Sequence, residues 1–423
     1  MLRTSHFLTA AALSATAVAC GDTASDTPAA GGNAEFGATP APITTVDSAG
    51  VEIVRISDVH LLDLPEIELR LLHSTTALPD LFFESVKAAA FLPDSSLVIA
   101  DGGLFELTFL DPGGTVRARS GQAGEGPGEY LDITRIAVGP DGAPFVFDWR
   151  QRRVTFLDSQ GTVTDIVRLE QGAGLGAAVP LSRLESGEVL AALETRPTLP
   201  PGIQRGPVFL VLTNDAGEIV DTLGQWAGKE RHVGDDWNPV GFGLTALFAG
   251  RGEHAIVGTN DSLNLTLYRG ATPVTRIRGG YSPRTVTAVE KEEWTETFLA
   301  VLPEQVHASW RRRLEQSTVR DSYPAYGAIS VDADGRIWIG DYPKLANVTR
   351  RWTILEADGT PVGTLSLPVL RPIWLEDTVA VTGQPHEVLD VAHGRIAVLR
   401  RDDLGVEFVE VYEMAHVAGE PGA

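Results

Sequence analysis

The chain has one cysteine, Cys20, and two methionines among its 423 residues. With no second thiol, no intramolecular disulfide can staple the fold and no cysteine cluster can hold a metal. Basic residues are scarce as well: 34 Lys and Arg stand against 56 Asp and Glu, a formal net charge of −22. That balance excludes a broad phosphate-binding surface, and nucleic acid with it as a partner. Past the first twenty residues no stretch reaches the roughly 18–20 apolar residues that a membrane-spanning helix needs. Also missing are a His-Glu-x-x-His helix, a Gly-x-Ser-x-Gly elbow and a Gly-Lys-Ser/Thr loop, which removes the common signatures of zinc proteases, serine hydrolases and nucleotide phosphatases. What the chain has in plenty is glycine and proline, 44 and 26, beside 43% hydrophobic residues. Many tight turns and enough apolar material for a core point to an all-β body.

A repeat gives that body its form. Phe109-Leu-Asp-Pro-Gly-Gly-Thr-Val116 returns as Phe156-Leu-Asp-Ser-Gln-Gly-Thr-Val163. The pairs Asp94/Asp141, Asp101/Asp148, Asp111/Asp158 and Thr115/Thr162 all stand 47 positions apart. Short β-like runs and Gly/Asp turns on a fixed period of this size mark a β-propeller blade. Blade one is expected from Val86 to Gly121, blade two from Ile133 to Leu169, blade three from Val179 to Leu223 and blade four from Leu244 to Arg278. Blade five, Ala328 to Leu367, keeps the Asp-to-Asp spacing in Asp334-Gly-Arg-Ile-Trp-Ile-Gly-Asp341. Blade six, Glu387 to Met414, supplies only three strands. An open ring would leave an unpaired edge, so an early strand, Ile67–Leu72, is expected to complete blade six.

Residues 282–326 break the rhythm. Thr287 followed by Glu290 forms a capping-box pattern, and Trp294, Phe298 and Val301 recur at helical spacing. Pro303 suits a helix start, with Val306, Trp310 and Leu314 following at intervals of four. Two helices inserted between blades four and five are expected. Setting them aside, the span from Val86 to Met414 holds about six periods, giving an all-β, six-bladed propeller closed by an N-terminal strand.

The N-terminal residues read as an address. Arg3 precedes an apolar stretch from His6 to Ala19, and the small residues Ala17-Val18-Ala19 lead directly into Cys20. This resembles a bacterial lipoprotein signal, which implies cleavage before Cys20, acylation of that residue and a lipid anchor in the cell envelope. Gly21 fits an outer-membrane destination in a Gram-negative cell. Residues 21–45, poor in anything to bury, read as a tether, and the body is expected to begin at Val46.

The opening Asp47-Ser-Ala-Gly-Val51, the loop Gly121-Gln-Ala-Gly-Glu-Gly-Pro-Gly-Glu-Tyr130 and Pro324-Ala-Tyr326 before Asp334-Gly-Arg-Ile-Trp338 are similar to a group of six-bladed propeller lipoproteins related to NHL-repeat proteins. The resemblance covers 47–414 and implies the fold, but no catalytic set.

Two kinds of site can be drawn from residue types. Arginine beside tryptophan offers a stacking surface and a directional donor fork, which makes Trp149 with Arg150, Arg231 and His232 with Trp237, and Trp310 ligand-binding candidates. These belong to a non-catalytic module for a small molecule or an envelope protein, with no cofactor. The rival reading is a Ca²⁺-dependent hydrolase or lactonase, its metal held by Asp101, Asp148, Glu194 and Asp341 at the ends of equivalent strands. Against it stands the plainer role of a turn carboxylate accepting its own backbone N–H groups. The loop Gly121–Glu129 is read as an inter-blade turn, because a strand and not a helix follows it.

Overall fold

A computed structural model describes residues 43–58, 63–169, 175–195, 199–234, 237–300, 302–342, 349–369 and 387–415. Cys20 and the expected signal lie outside them. So does the tether up to residue 42, whereas Ile43–Ser48 is already strand, so the folded body begins before Val46.

The chain forms a six-bladed β-propeller. Blade one is the antiparallel sheet Val86–Phe91, Leu97–Asp101, Glu106–Leu110 and Val116–Ser120. Blade two repeats it with Ile133–Val138, Pro144–Asp148, Arg153–Leu157 and Val163–Arg168. The recurring aspartates are the punctuation of these sheets. Asp111 Oδ1 accepts from the N–H groups of Gly113 and Thr115, and Asp158 Oδ1 accepts from those of Gln160 and Thr162. Asp94 and Asp141 cap the preceding turn in the same way, through Ser96 N–H and Ala143 N–H. A side chain that satisfies the turn backbone locally fixes where each strand stops.

Apolar residues alternate along the strands and fill the space between neighbouring blades. Phe109, Tyr130 and Ile136 lie between blades one and two, Phe147, Val154 and Leu193 between two and three. Leu190, Leu210 and Phe248 join three to four, and Ile256, Leu265 and Ile339 join four to five. Trp338, Trp352 and Val398 link five to six, and Ile99, Leu399 and Val411 close six onto one. The core is therefore a ring of inter-blade layers.

On the innermost strands sits a charged lock. Arg251 donates to both carboxylate oxygens of Asp390 at 2.5 and 2.6 Å and to Phe91 O at 3.0 Å. Asp390 also accepts Phe91 N–H. Arg135, fully buried, donates to Leu181 O and Gly250 O. Burial lowers its pKa to about 10, against the opposing pull of Asp390. Blades one, two, three, four and six are thereby tied together.

Closure follows the expected logic with a shifted frame: Leu69–Ser74, two residues beyond the expected start, is the outer strand of blade six, paired with Glu407–Met414. The preceding chain does more than expected. Ile43–Ser48 and Val51–Asp58 form a hairpin whose second strand runs parallel to Thr272–Gly280, so blade four has six strands. Ile67 N–H then bonds Thr364 O and Thr364 N–H bonds Pro65 O, on blade five. One N-terminal strap crosses three blades.

Blade three also departs from expectation. The segment Gln225–Phe242 lies beyond its expected end at Leu223. Its first part continues the strand Ile219–Val233, paired with Gly202–Thr213, and Trp237–Pro239 adds a fifth strand. The inserted helices α1 (Ala288–Ala300) and α2 (Glu304–Glu315) stand between blades four and five. The capping box is formed: Glu290 N–H donates to Thr287 Oγ1, and Thr287 N–H donates to Glu290 Oε2. Trp294, Phe298 and Leu314 bury with Phe242, Tyr323 and Tyr342. No helix among the described residues is long and apolar enough to cross a membrane.

Candidate functional site

Each inner strand starts on one face of the propeller, here called upper. That face carries the connections between blades and the turns after each second strand. The Asp101 and Asp148 carboxylates lie there, and both are consumed locally. Asp101 accepts N–H bonds from Glu84, Ser85, Gly103 and Leu104. Asp148 accepts from Leu131, Asp132 and Gln151 N–H and from the Gln151 side chain. Oxygens saturated by N–H donors do not fit a Ca²⁺ shell, which needs six to eight oxygen ligands. Among the described residues no three His, Cys, Asp or Glu side chains gather in a metal-holding group.

Glu194 is not equivalent to these aspartates. The preceding turn joins Leu92 N–H to Ser96 O, Gly139 N–H to Ala143 O, Asp332 N–H to Arg336 O and Leu184 N–H to Glu188 O. The same number of residues past each closing carbonyl stand Asp101, Asp148, Asp341 and Leu193. Glu194 is one residue further, and a one-residue step turns a side chain to the opposite face of its sheet. There it pairs with Arg231 at 3.3 Å. The backbone N–H of Asp341 bonds Arg351 O.

The binding candidates divide between two places. Trp149 packs edge-on against Phe147 on blade two, with exposed Arg150 beside it. The others gather where blade three meets the insertion. Arg313 donates to Asn238 Oδ1, next to Trp237, and lies 4.2 Å over the Trp310 ring. Arg231 and His232 lie on the neighbouring strand, opposite Gln204 and Ile203. The side chain of Trp237 and residues Asp235 and Asp236 are outside the described set.

The same junction holds a charged cluster that residue patterns did not indicate. Glu230, buried, accepts two hydrogen bonds from Arg320 at 2.7 and 2.6 Å and one from Leu244 N–H. Burial pushes its pKa up, but Arg320, Leu244 N–H and Arg205 outweigh that and hold it below the usual range. Arg205 donates to Gly228 O and Ala227 O at 2.7 Å each. Burial lowers the Arg205 pKa, and Asp261, Glu230, Arg320 and Tyr326 all lie near enough to act on it. Burial raises the Tyr281 phenol, which donates to Tyr323 O and feels Arg320 and Arg284. Arg284 donates to Tyr342 O and lies over the Tyr323 ring. Three arginines therefore face two carboxylates within a strongly acidic chain. Arg205 and Arg320 use their Nε and Nη2 atoms, and neither Nη1 makes a hydrogen bond among the described residues. The only sequence hint was that the segment carrying Arg284 and Arg320 breaks the repeat.

The Gly-rich loop is a closed turn. Glu129 Oε2 accepts Gly126 N–H, and buried Arg153 donates to the carbonyls of Glu125, Gly126 and Glu129. Gly121, Gly124 and Gly128 have positive φ, which only glycine adopts at low cost.

No sequence-family profile matches the chain, and no curated protein does. Solved structures do. A Bacteroides fragilis protein named as exported is 14% identical with a TM-score of 0.49, over 86% of this chain and 99% of that one. A DUF4221-family member from Bacteroides vulgatus gives 10% and 0.45, over 84% and 100%. A Xanthomonas campestris gluconolactonase gives 12% and 0.39, over 84% and 99%. At this distance the functional reading rests on the chain's own residues.

Proposed function

We propose that this protein is an exported, lipid-anchored propeller that binds a small anionic ligand on its upper face, between blade three, blade four and the helical insertion. The observation that carries the reading is the Arg205–Arg320 pair. Each guanidinium is fixed by two hydrogen bonds to protein oxygens through Nε and Nη2, and its Nη1 makes no hydrogen bond among the described residues. Fixed guanidinium forks suit carboxylate or phosphate oxygens, and fixing them beforehand lowers the entropy lost on binding. Tyr281 and the Trp310–Arg313 stack supply apolar and ring contacts at the border, as ligand sites commonly do. Export and anchoring rest on the segment leading to Cys20.

A thermal-shift panel of small carboxylates, phosphate esters and neutral sugars tests the reading. Anionic members should raise the melting temperature, by about 2.7 kcal/mol of stability at a hundredfold excess over Kd. Arg205→Gln should abolish that response while leaving the unliganded fold intact. A response to neutral sugars alone, or one unchanged in Arg205→Gln, would overturn it.

A further inference from the structure

The propeller distributes its exposed large apolar side chains unevenly. Five of them stand on upper-face elements: Phe82 (63% exposed), Ile203 (47%), Val289 (76%), Leu404 (89%) and Val406 (46%). Phe82 precedes the inner strand of blade one, and Leu404 and Val406 form the turn after the second strand of blade six. Ile203 lies in the upward extension of blade three, and Val289 in the first turn of α1. Val46 and Leu71 sit on the rim, and Val220 follows the lower turn of blade three.

These tips are mounted on fixed backbone. Asp402 Oδ1 accepts N–H bonds from Leu404 and Val406, each at 2.9 Å. Phe82 adjoins buried Phe83, which bridges Glu407. Val289 lies within the formed capping box of Thr287 and Glu290, and Ile203 is paired with His232.

The chain also enters the body at this face. Val51–Asp58 runs parallel to Thr272–Gly280, whose upper end leads into the insertion, so the antiparallel strand Ile43–Ser48 begins at the upper end of blade four. Between Cys20 and Ile43 lie residues 21–42, a length that can span no more than about 80 Å.

We propose that the upper face lies against the bilayer to which the protein is anchored, with Phe82, Ile203, Val289, Leu404 and Val406 dipping into its interface. The proposal rests on the anchoring reading. Apolar tips of this kind gain by leaving water, and Ile43, through which a tether from Cys20 joins the body, lies at the same face. Asp402 and Asp403 precede Leu404 and the chain as a whole carries a net charge of −22, so its overall charge repels anionic lipid. The occupant is a zwitterionic lipid surface, and anionic headgroups should weaken the contact.

The single cysteine makes the test direct. Acylation consumes Cys20, so a cysteine introduced elsewhere is the only free thiol in the full-length exported protein. Leu404→Cys, Phe82→Cys and, on the exposed lower turn, Gln160→Cys are each labelled with an environment-sensitive fluorophore. The proteins are then placed in phosphatidylcholine vesicles carrying a lipid-bound quencher. Loss of most of the fluorescence at 404 and 82 but not at 160 is expected, and it should shrink when phosphatidylglycerol replaces part of the lipid. Equal quenching at all three positions, or none at 404 and 82 while the acylated protein stays on the vesicles, would overturn the proposal alone. Burial of these probes in native membranes but not in protein-free vesicles would overturn it in favour of a membrane protein partner. A wild-type exported protein that proves to carry no acyl chain on Cys20 and does not sediment with vesicles would bring down the anchoring reading and this proposal together.

Discussion

Blade two and the junction of blade three with the insertion are built from the same strands under different rules. In blade two every carboxylate that recurs by the repeat is spent on its own turn: Asp141 on Ala143, Asp158 on Gln160 and Thr162, Asp148 on the turns at both its sides. At the junction the repeat slips by one residue, Leu193 takes the aspartate's place, and the strands run on past the sheet. Charged groups there meet across elements distant in sequence, as Glu230 and Arg320 do. A self-satisfied turn is a structural part. A charged cluster assembled where blade three meets the insertion is where we propose that a ligand is recognised, in keeping with the rule that function is carried by loops on a rigid frame.

The largest way to break this frame is to remove what holds all blades to one ring. Deleting residues 43–74 strips two strands from blade four, the bridge from blade five and the outer strand from blade six. Exposed edges and open inter-blade layers should then abolish cooperative unfolding and drive aggregation. A truncated protein with an unchanged calorimetric transition would refute the strap's role.

A smaller perturbation separates the in-register carboxylate from the slipped one. Asp148→Ala leaves three half-buried backbone N–H groups without that acceptor and should cost roughly 3 kcal/mol, at about 1 kcal/mol for each group stranded. Glu194→Ala removes only a partly exposed pair with Arg231 and should cost less than about 1 kcal/mol. Urea denaturation of both variants checks the pair. Equal losses would mean that the slip carries no energetic meaning.

The contrast also explains what could be read from residues alone. The 47-residue repeat is legible because each blade must restart its turns with the same Asp and Gly chemistry, so local physics repeats in the sequence. The helices were legible through the Thr287–Glu290 box and the spacing of Trp294 and Phe298. Strap and junction were not, because strand pairing such as Val51–Asp58 on Thr272–Gly280 is set by partners more than two hundred residues apart. Glu194 shows the limit on finer scale: an acidic residue near the right spacing looked equivalent until the turn hydrogen bonds fixed the register.

The smallest of these tests concerns a carboxylate that obeys neither pattern. Asp332 opens the turn of blade five where blade one has Leu92 and blade two has Gly139, so a charge replaces an apolar or small residue at the inner end of the turn. It accepts N–H bonds from Asp334, Arg336 and the Trp338 indole, yet it is almost wholly buried. Burial outweighs these bonds and raises its pKa from 3.8 to about 6. The folded state therefore holds a proton that the unfolded chain releases near pH 4. Between these two values the native protein binds more protons, so stability must fall as pH rises, and the fall is complete above about pH 6. The shift corresponds to roughly 3 kcal/mol between pH 4 and 7. Blade two has no counterpart, since Gly139 cannot titrate. Asp332→Asn keeps an acceptor for the two backbone N–H groups and cannot ionise, so it should flatten this part of the profile while losing the Trp338 bond, at about 1 kcal/mol. The comparison to make is the urea midpoint of wild type and variant at several pH values from 4 to 7. Parallel profiles would show that Asp332 stays ionised and that its three donors, rather than its burial, govern it.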